Sequence, residues 1–332
     1  MYNITLLPGD GIGPEITEAV KKIIASAGVE INWEVVNAGT TVMEEYGTPL
    51  PQNVIDSIKK NKVALKAPIT TPIGKGFRSV NVAIRKALKL YANIRPSQTF
   101  EGVRGRYENI DIITVRENTE GLYSGIEHYI GDKIAAETIK VITKEATENI
   151  AKHAFELARE KGRKKVTIVH KANIQKYTDG LFLDISREIA KNYPDIICED
   201  KIVDNMCMQL VQNPEQFDVL LCPNFYGDIV SDLCSGLVGG LGMAPGANLN
   251  AEYGVFEAVH GSAPDIAGKN IANPTALLLS AIMMLEHIGE NEKANKIDRA
   301  LKTVLKEGKV LTGDLGGTAS TTEFTDEIIN KL

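Results

Sequence analysis

Cysteine is scarce in this chain: Cys198, Cys207, Cys222 and Cys234 include no C-x-x-C pair. That spacing argues against a zinc site and for buried free thiols in a reducing cytoplasm. A basic excess is also missing, since 37 Lys and Arg face 43 Asp and Glu for a net charge of -6. A nucleic-acid partner leaves a strongly basic footprint, so none is expected. The modest acidity concerns solubility. No apolar run is long enough for a bilayer: the longest helix candidate, Ala276 to Leu285, falls short of the ~20 residues needed. The opening lacks a charged-then-apolar leader and runs straight into Ile4–Leu7, so no signal peptide and no membrane role are expected. Repeats, low-complexity tracts and charge-rich linkers are absent, and composition therefore sets no domain limits. What remains is 332 residues, 43% hydrophobic and 24% charged. That profile is ordinary for a soluble protein, and the length exceeds what one core usually holds, so two lobes are expected.

Strand-like and helix-like segments alternate. Ile4–Leu7 precedes a helix from Pro14 to Ala27, with Pro14 suited to the first turn and Gly28 to the stop. Ile16, Val20, Ile23, Ile24 and Ala27 form one apolar stripe. Further strands are expected at Ile31–Val36, Val63–Ala67, Ile110–Val115, Val166–Val169 and Val219–Cys222. Helices are expected at Val80–Leu90, Lys144–Lys161, Asp179–Lys191, Thr275–His287 and Glu292–Lys306. Such alternation predicts an α/β protein with a largely parallel sheet. Residues 124–142 break the rhythm, with Gly131-Asp132 as a turn between two strand-like runs. A lone hairpin is marginal in water, so it must pack on something, and a partner subunit is one candidate.

The segment Gly9-Asp10-Gly11-Ile12-Gly13 lies between a strand and a helix, where a dinucleotide fingerprint would stand. The fingerprint fails, because its last glycine position is Pro14 and Asp10 would oppose a pyrophosphate. The alternative is a tight turn that lets the backbone pass close to something.

Four groups of residues can carry chemistry. Ser79, Asn81 and Arg85 open a helix, with Asn81 and Arg85 on one face. Arg95, Arg116 and Lys171 stand at or just after strand ends, where α/β sheets place ligands. Arginine forks suit carboxylates, and several of them imply a substrate with more than one. Asp228 and Asp232 are one helical turn apart and, with Asp204, offer hard oxygen ligands for Mg²⁺ or Mn²⁺. Unneutralised, two such charges cost a few tenths of a kcal/mol. Tyr123, soon after Arg116 to Gly121, can serve as a general acid or base if nearby cations lower its pKa. Finally, His260 to Gly268 is a loop of small residues open to a flat or phosphorylated ligand. Asp265 there could bind both ribose hydroxyls of NAD and repel a 2′-phosphate. Each group could instead be an ordinary surface or packing feature.

Taken in order, these segments resemble the isocitrate and isopropylmalate dehydrogenase family, the decarboxylating β-hydroxyacid dehydrogenases. The opening resembles its GDGIGPE, and Tyr91-Ala92-Asn93-Ile94-Arg95-Pro96 its YANVRP. Asn224 through Asp232, with Leu233 and Gly236, resembles its metal helix, and Asp314-Leu315-Gly316-Gly317 its DLGG. The likeness spans nearly the whole chain. Ser79-x-Asn81-x-x-x-Arg85 resembles the isocitrate branch, where serine and asparagine hold the distal carboxylate. An isopropylmalate enzyme shows apolar residues there, and a homoisocitrate enzyme usually lacks the asparagine.

The resemblance implies a fold of two discontinuous α/β lobes without Rossmann topology: residues 1–92 with 238–332, and 93–237 with a hairpin clasp at 124–142. It implies NAD-dependent oxidative decarboxylation of isocitrate with Mg²⁺ or Mn²⁺. The alternatives are homoisocitrate or 3-isopropylmalate oxidation and a non-catalytic regulatory subunit. Ser79, Asn81, Arg85, Arg95 and Arg116 would bind the substrate, and Tyr123 and Lys171 would handle protons. Asp204, Asp228 and Asp232 would hold the metal. Thr70, His260, Gly261, Ala263, Asp265, Ile266 and Asn273 would hold NAD, and the Asp265-Ile266 pair resembles the NAD users. The partner assembly it implies is a homodimer with shared sites, in which Lys171 and Asp204 serve the neighbouring protomer.

Overall fold

The structure is a computed structural model that describes residues 1–39, 42–70 and 79–332. Arg78, which precedes the expected substrate segment, lies outside the described residues. The chain divides into two compact units: 1–88, 99–108 and 238–332 form the first, and 89–98 with 109–237 the second. Thr99–Glu108 belongs to the first unit, not to the middle of the chain as the sequence suggests. Two contacts anchor it there: Gly102 lies against the Leu305 carbonyl, and Lys306 pairs with Glu101 at 3.0 Å.

In the first unit, β1 (Tyr2–Leu7), β2 (Ile31–Val35) and β3 (Val63–Lys66) run parallel with β1 at the centre. β12 (Gly254–Ala258) extends β3 in parallel, and β11 (Pro245–Leu249) joins β12 antiparallel. Leu6, Leu7, Ala64, Leu65, Val255 and Phe256 are buried, as strands covered on both faces require. The helices are α1 (Gly13–Ser26), α2 (Met43–Tyr46), α3 (Gln52–Asn61), α4 (Val80–Ala87), α9 (Thr275–His287), α10 (Asn291–Glu307) and α11 (Thr321–Asn330). α9 is apolar almost all round and packs on β11 and β12 as the core helix. α11 starts with a capping box between Ser320 and Glu323.

In the second unit, β4 (Ala92–Gln98), β5 (Asp111–Glu117), β10 (Val219–Cys222), β8 (Lys165–His170) and β9 (Ile197–Ile202) follow one another in space. β4 is antiparallel to β5, and the other pairings are parallel. α5 (Lys144–Glu160), α6 (Thr178–Ala190), α7 (Val203–Gln212) and α8 (Asn224–Leu237) belong to it. The hairpin pairs β6 (Glu127–Ile130) with β7 (Ala135–Thr138), and every residue of both strands is exposed. Among the described residues, no helix is long and apolar enough to cross a membrane.

Candidate functional site

Each unit carries its own cluster. In the second unit, β5 carries Arg116 near its end, β4 carries Arg95 at its middle, and α8 faces both. Arg116 is almost fully buried. Its Nε and Nη2 donate to Asn224 Oδ1 at 3.0 and 2.8 Å, and Nη1 pairs with Asp228. The chain of Arg116 lies along the helix at Gly227, where an added Cβ would sit 2.6 Å from Arg116 Cγ. Arg95 donates from Nη1 to Ser231 at 2.7 Å and Asp232 at 2.9 Å, and its Nη2 lies 3.6 Å from Asp228. Tyr123 donates its hydroxyl to the other oxygen of Asp228, and the Arg116 guanidinium lies 5.1 Å from its ring centroid. Thus Arg95, Arg116, Tyr123, Asp228 and Asp232 converge, with the two aspartates one turn apart on α8.

The condition under which the sequence would make Tyr123 a general acid or base, a pKa lowered by nearby cations, is not met: burial and the Asp228 carboxylate raise it and outweigh Arg116. Tyr123 therefore holds its proton, the state a proton donor needs. Asp232 is also raised, first by burial and also by the Asp228 charge, against the pull of Arg95. A further cation beside these carboxylates would relieve that repulsion.

Asp204 does not join them. Its carboxylate pairs with the Lys171 ammonium, which holds it below the usual range. Among the described residues, no group of three His, Cys, Asp or Glu side chains is placed to hold a metal. The three-aspartate set expected from sequence is therefore not assembled within one chain. Its members are divided between Lys171 on one side and Arg95, Arg116 and Tyr123 on the other. The pair Asp228 and Asp232 still fits a hard divalent cation as two carboxylate ligands.

The turn bearing Lys171 is held from both sides. The Lys171 N–H donates to Asp179 Oδ2 at 2.7 Å, and the Ala172 N–H donates to His170 Nδ1 at 3.1 Å. Accepting at Nδ1 places the His170 proton on Nε2, which faces Asp200 Oδ2 at 3.1 Å. Asp179 is fully buried, and it also takes Lys140 and the Tyr226 hydroxyl.

The segment after Arg116 carries two buried acids. Glu117 accepts from the Thr119 N–H and hydroxyl at 2.7 and 2.6 Å, and burial raises its pKa. Glu120 accepts from the Thr143 N–H and hydroxyl, both at 2.8 Å, and burial lifts its pKa to about 7. The folded chain thus keeps a proton that the unfolded chain releases above the ordinary 4.5. Stability should fall as pH rises from there to about 7, because the native state binds more protons in that window. Glu120→Gln should flatten the decline, narrowing the Tm difference between about pH 5 and about pH 8 by roughly 2–4 °C. Calorimetry of both proteins checks this; parallel Tm profiles would refute it.

In the first unit, Ser79 stands at the start of α4, and Asn81 and Arg85 follow on the helix. Arg85 Nη2 donates to Glu257 at 2.9 Å, and Lys66 pairs with the same carboxylate at 2.8 Å. Burial would raise Glu257, but the Lys66 and Arg85 charges hold it well below the carboxylate range. Among the described residues, Asn81 Oδ1 and Arg85 Nε are buried without a hydrogen-bond partner, as groups awaiting a polar ligand would be. Lys66 and Glu257 escape sequence reasoning, because each stands within an otherwise apolar strand segment.

The same unit holds a cavity of about 740 Å³ lined by His260, Gly261, Ala263, Ile266 and Asn273. Ile12, Gly242, Ile271, Ala272, Gly313, Asp314, Thr318 and Ala319 complete it. His260 Nδ1 faces the Gly261 carbonyl at 2.9 Å and so carries the proton. Its Nε2 is left as an acceptor, buried and without a partner among the described residues. Burial also depresses the His260 pKa and keeps the ring neutral. A small-residue cavity with a buried acceptor fits the adenosine part of a dinucleotide. Asp265 is exposed and not among the lining side chains, while Thr70 bonds Ser262 through its hydroxyl at 2.6 Å.

The fold and these clusters place the molecule among the α/β enzymes that act on anionic substrates, and residues 3–328 match the isocitrate/isopropylmalate dehydrogenase family. The chain belongs to that family. It is 54% identical, over 99% of its length and 87% of the relative's, to a probable mitochondrial NAD isocitrate dehydrogenase alpha subunit of Drosophila melanogaster. It is equally 54% identical, over 100% and 92%, to a mitochondrial NAD isocitrate dehydrogenase regulatory subunit of Dictyostelium discoideum. An isocitrate dehydrogenase crystal structure from Methylococcus capsulatus superposes with a TM-score of 0.97 at 52% identity, over 100% of this chain and 99% of that one.

Proposed function

We propose that the chain catalyses the oxidative decarboxylation of isocitrate to 2-oxoglutarate and CO₂ with NAD and Mg²⁺ or Mn²⁺. The observation that carries this reading is the convergence of Arg95, Arg116 and Tyr123 on Asp228 and Asp232. A carboxylate-rich hydroxy acid needs the cationic forks, and its hydroxyl needs a nearby hard cation. The relatives named as NAD isocitrate dehydrogenase subunits support the same substrate and cofactor. Ser79 and Asn81 offer polar contacts that suit a third carboxylate and suit an isopropyl group poorly.

When bound, the divalent ion would acidify the substrate hydroxyl and stabilise the enolate left by CO₂, and NAD would accept the hydride. The chain's own residues do the rest. Arg85, Arg95 and Arg116 bind carboxylates, Asp228 and Asp232 ligate the ion, and Lys171 with Asp204 carries the hydroxyl proton away. Tyr123, which holds its proton, delivers one to the carbon that has lost CO₂. Ile266 at the cavity and Asp265 beside it favour NAD over NADP.

For the assembly we propose a homodimer with Lys171 and Asp204 working in the partner's site. Ile174, Tyr177, Leu181, Met208, Phe225 and Ile229 are exposed apolar side chains of the second unit, which a second copy would cover. The regulatory name of one relative favours a hetero-oligomer as the second reading. Against a non-catalytic role, Tyr123, Lys171, Asp204, Asp228 and Asp232 are all present. The cytoplasm remains the proposed compartment, and four free thiols accord with a reducing one, although only Cys222 and Cys234 are buried as expected, Cys198 being exposed and Cys207 half-buried.

The purified chain alone should form NADH from isocitrate, with 3-isopropylmalate and homoisocitrate slower by about 10²-fold or more. NADP should replace NAD poorly, and a chelator should stop the reaction. No activity until a second type of chain is added, or preference for another hydroxy acid, would overturn the reading.

A further inference from the structure

The opening motif, residues 9–15, carries two carboxylates, and both accept hydrogen bonds from distant segments of the first unit. Asp10 is buried and accepts the Thr70 N–H at 2.9 Å. Gly11, at φ +59, lies against the Ser262 carbonyl, where a Cβ would come within 1.9 Å of the oxygen. Ile12 then donates its N–H to that same carbonyl at 2.9 Å and lines the large cavity. Through these contacts the turn is built into the cavity wall.

Glu15 holds the opposite part. Its Oε2 accepts the Asn270 N–H at 3.1 Å, and its Oε1 accepts the Ala272 N–H at 3.1 Å and the Thr321 hydroxyl at 2.6 Å. Asn270, in the left-handed region at φ +55, is also tied through its carbonyl to the Thr321 N–H at 2.9 Å. Ile271, Ala272 and Asn273 line the cavity, as do Thr318 and Ala319. One carboxylate thus joins the start of α1 to the loop before α9 and the start of α11. Hydrogen bonds from N–H groups to an ionised acceptor are the stronger kind, and here both amides belong to or flank wall residues.

We propose that Glu15 is a positioning residue for the dinucleotide: it fixes the 270–273 wall and thereby sets cofactor affinity without touching the reacting atoms. This rests on the reading that the cavity takes NAD. Glu15→Gln keeps the size but turns one acceptor into a donor that faces an N–H. Direct titration with NADH, followed by nicotinamide fluorescence, should show Kd rising about tenfold. The KM for NAD should rise in step, while kcat at saturating NAD and the KM for isocitrate stay within about twofold. The Thr321 hydroxyl also lies 2.7 Å from the Ala272 carbonyl, so Thr321→Val, which removes both contacts, should weaken NADH by about threefold alone and by less than that in the Glu15→Gln background. If Glu15→Gln does not fold, Glu15→Asp, whose shorter carboxylate cannot reach all three donors, carries the test. NADH affinity unchanged in the folded variants, or an equal loss of kcat, overturns the role of Glu15. A wild-type protein that binds no NADH removes the reading of the cavity itself, and the proposal with it.

Discussion

Asp228→Asn should lower turnover with isocitrate and NAD by about 10²–10³-fold while the protein stays folded. The carboxylate accepts from Arg116 and Tyr123 and lies within ion-pair distance of Arg95, at 3.6 Å. An amide cannot neutralise two guanidinium groups, and it donates where a cation must be bound. Three effects therefore combine: a weaker divalent ligand, arginines that lose their anionic anchor, and a tyrosine hydroxyl that loses its charged acceptor. Mn²⁺ binding, followed by electron paramagnetic resonance, should weaken alongside turnover. Arg116 is buried but keeps both bonds to Asn224, at 3.0 and 2.8 Å, so the melting temperature should fall by only a few degrees. Turnover within tenfold of the wild type would contradict the placement of this residue at the reacting centre.

Glu257→Ala should destabilise the protein by about 3–5 kcal/mol, the usual result of stripping one partner from a buried ion pair. Lys66 is almost fully buried, and among the described residues the Ala67 carbonyl, at 3.2 Å, is the acceptor left to its amine. Arg85 would lose its bond at 2.9 Å, and Asn248 its acceptor at 2.7 Å. Acid should produce a weaker version of the same effect. The folded pKa of Glu257 is depressed, so its stabilisation is present above the unfolded value and is lost as pH falls below it. Urea unfolding near neutral pH measures the loss. A change under about 1 kcal/mol would mean that water reaches the triad and solvates the orphaned charges.

The parts of the fold legible in the sequence are those with a regular period. Thr275–His287 and Val219–Cys222 fall where the pattern puts them, because one is an almost wholly apolar helix and the other a doubly covered strand. β4 is not visible there, since Arg95 and Pro96 interrupt it and its pairing with β5 supplies what local propensity does not. β9, β11 and β12 are hidden for the same reason: short strands depend on their neighbours. In the site, motif likeness points to Asp228, Asp232, Arg95, Arg116 and Tyr123, which the fold gathers into one cluster. Spacing does not show that Asp204 is taken by Lys171, nor that Arg85 shares Glu257 with Lys66. Those pairings join residues far apart in the chain, and only the folded strands bring them into register.

Gly227 illustrates a trade between local and distant demands. Alanine in a helix interior is favoured over glycine by about 1 kcal/mol, so α8 would gain from it on its own account. A methyl group there would collide with the aliphatic stem of Arg116 and push the guanidinium off Asn224 and Asp228. The helix gives up intrinsic stability so that a charged side chain from another strand can lie flat against its backbone. A tolerance map of this helix should therefore record its sharpest intolerance at Gly227, while Gly236, with open space around an added Cβ among the described residues, accepts alanine.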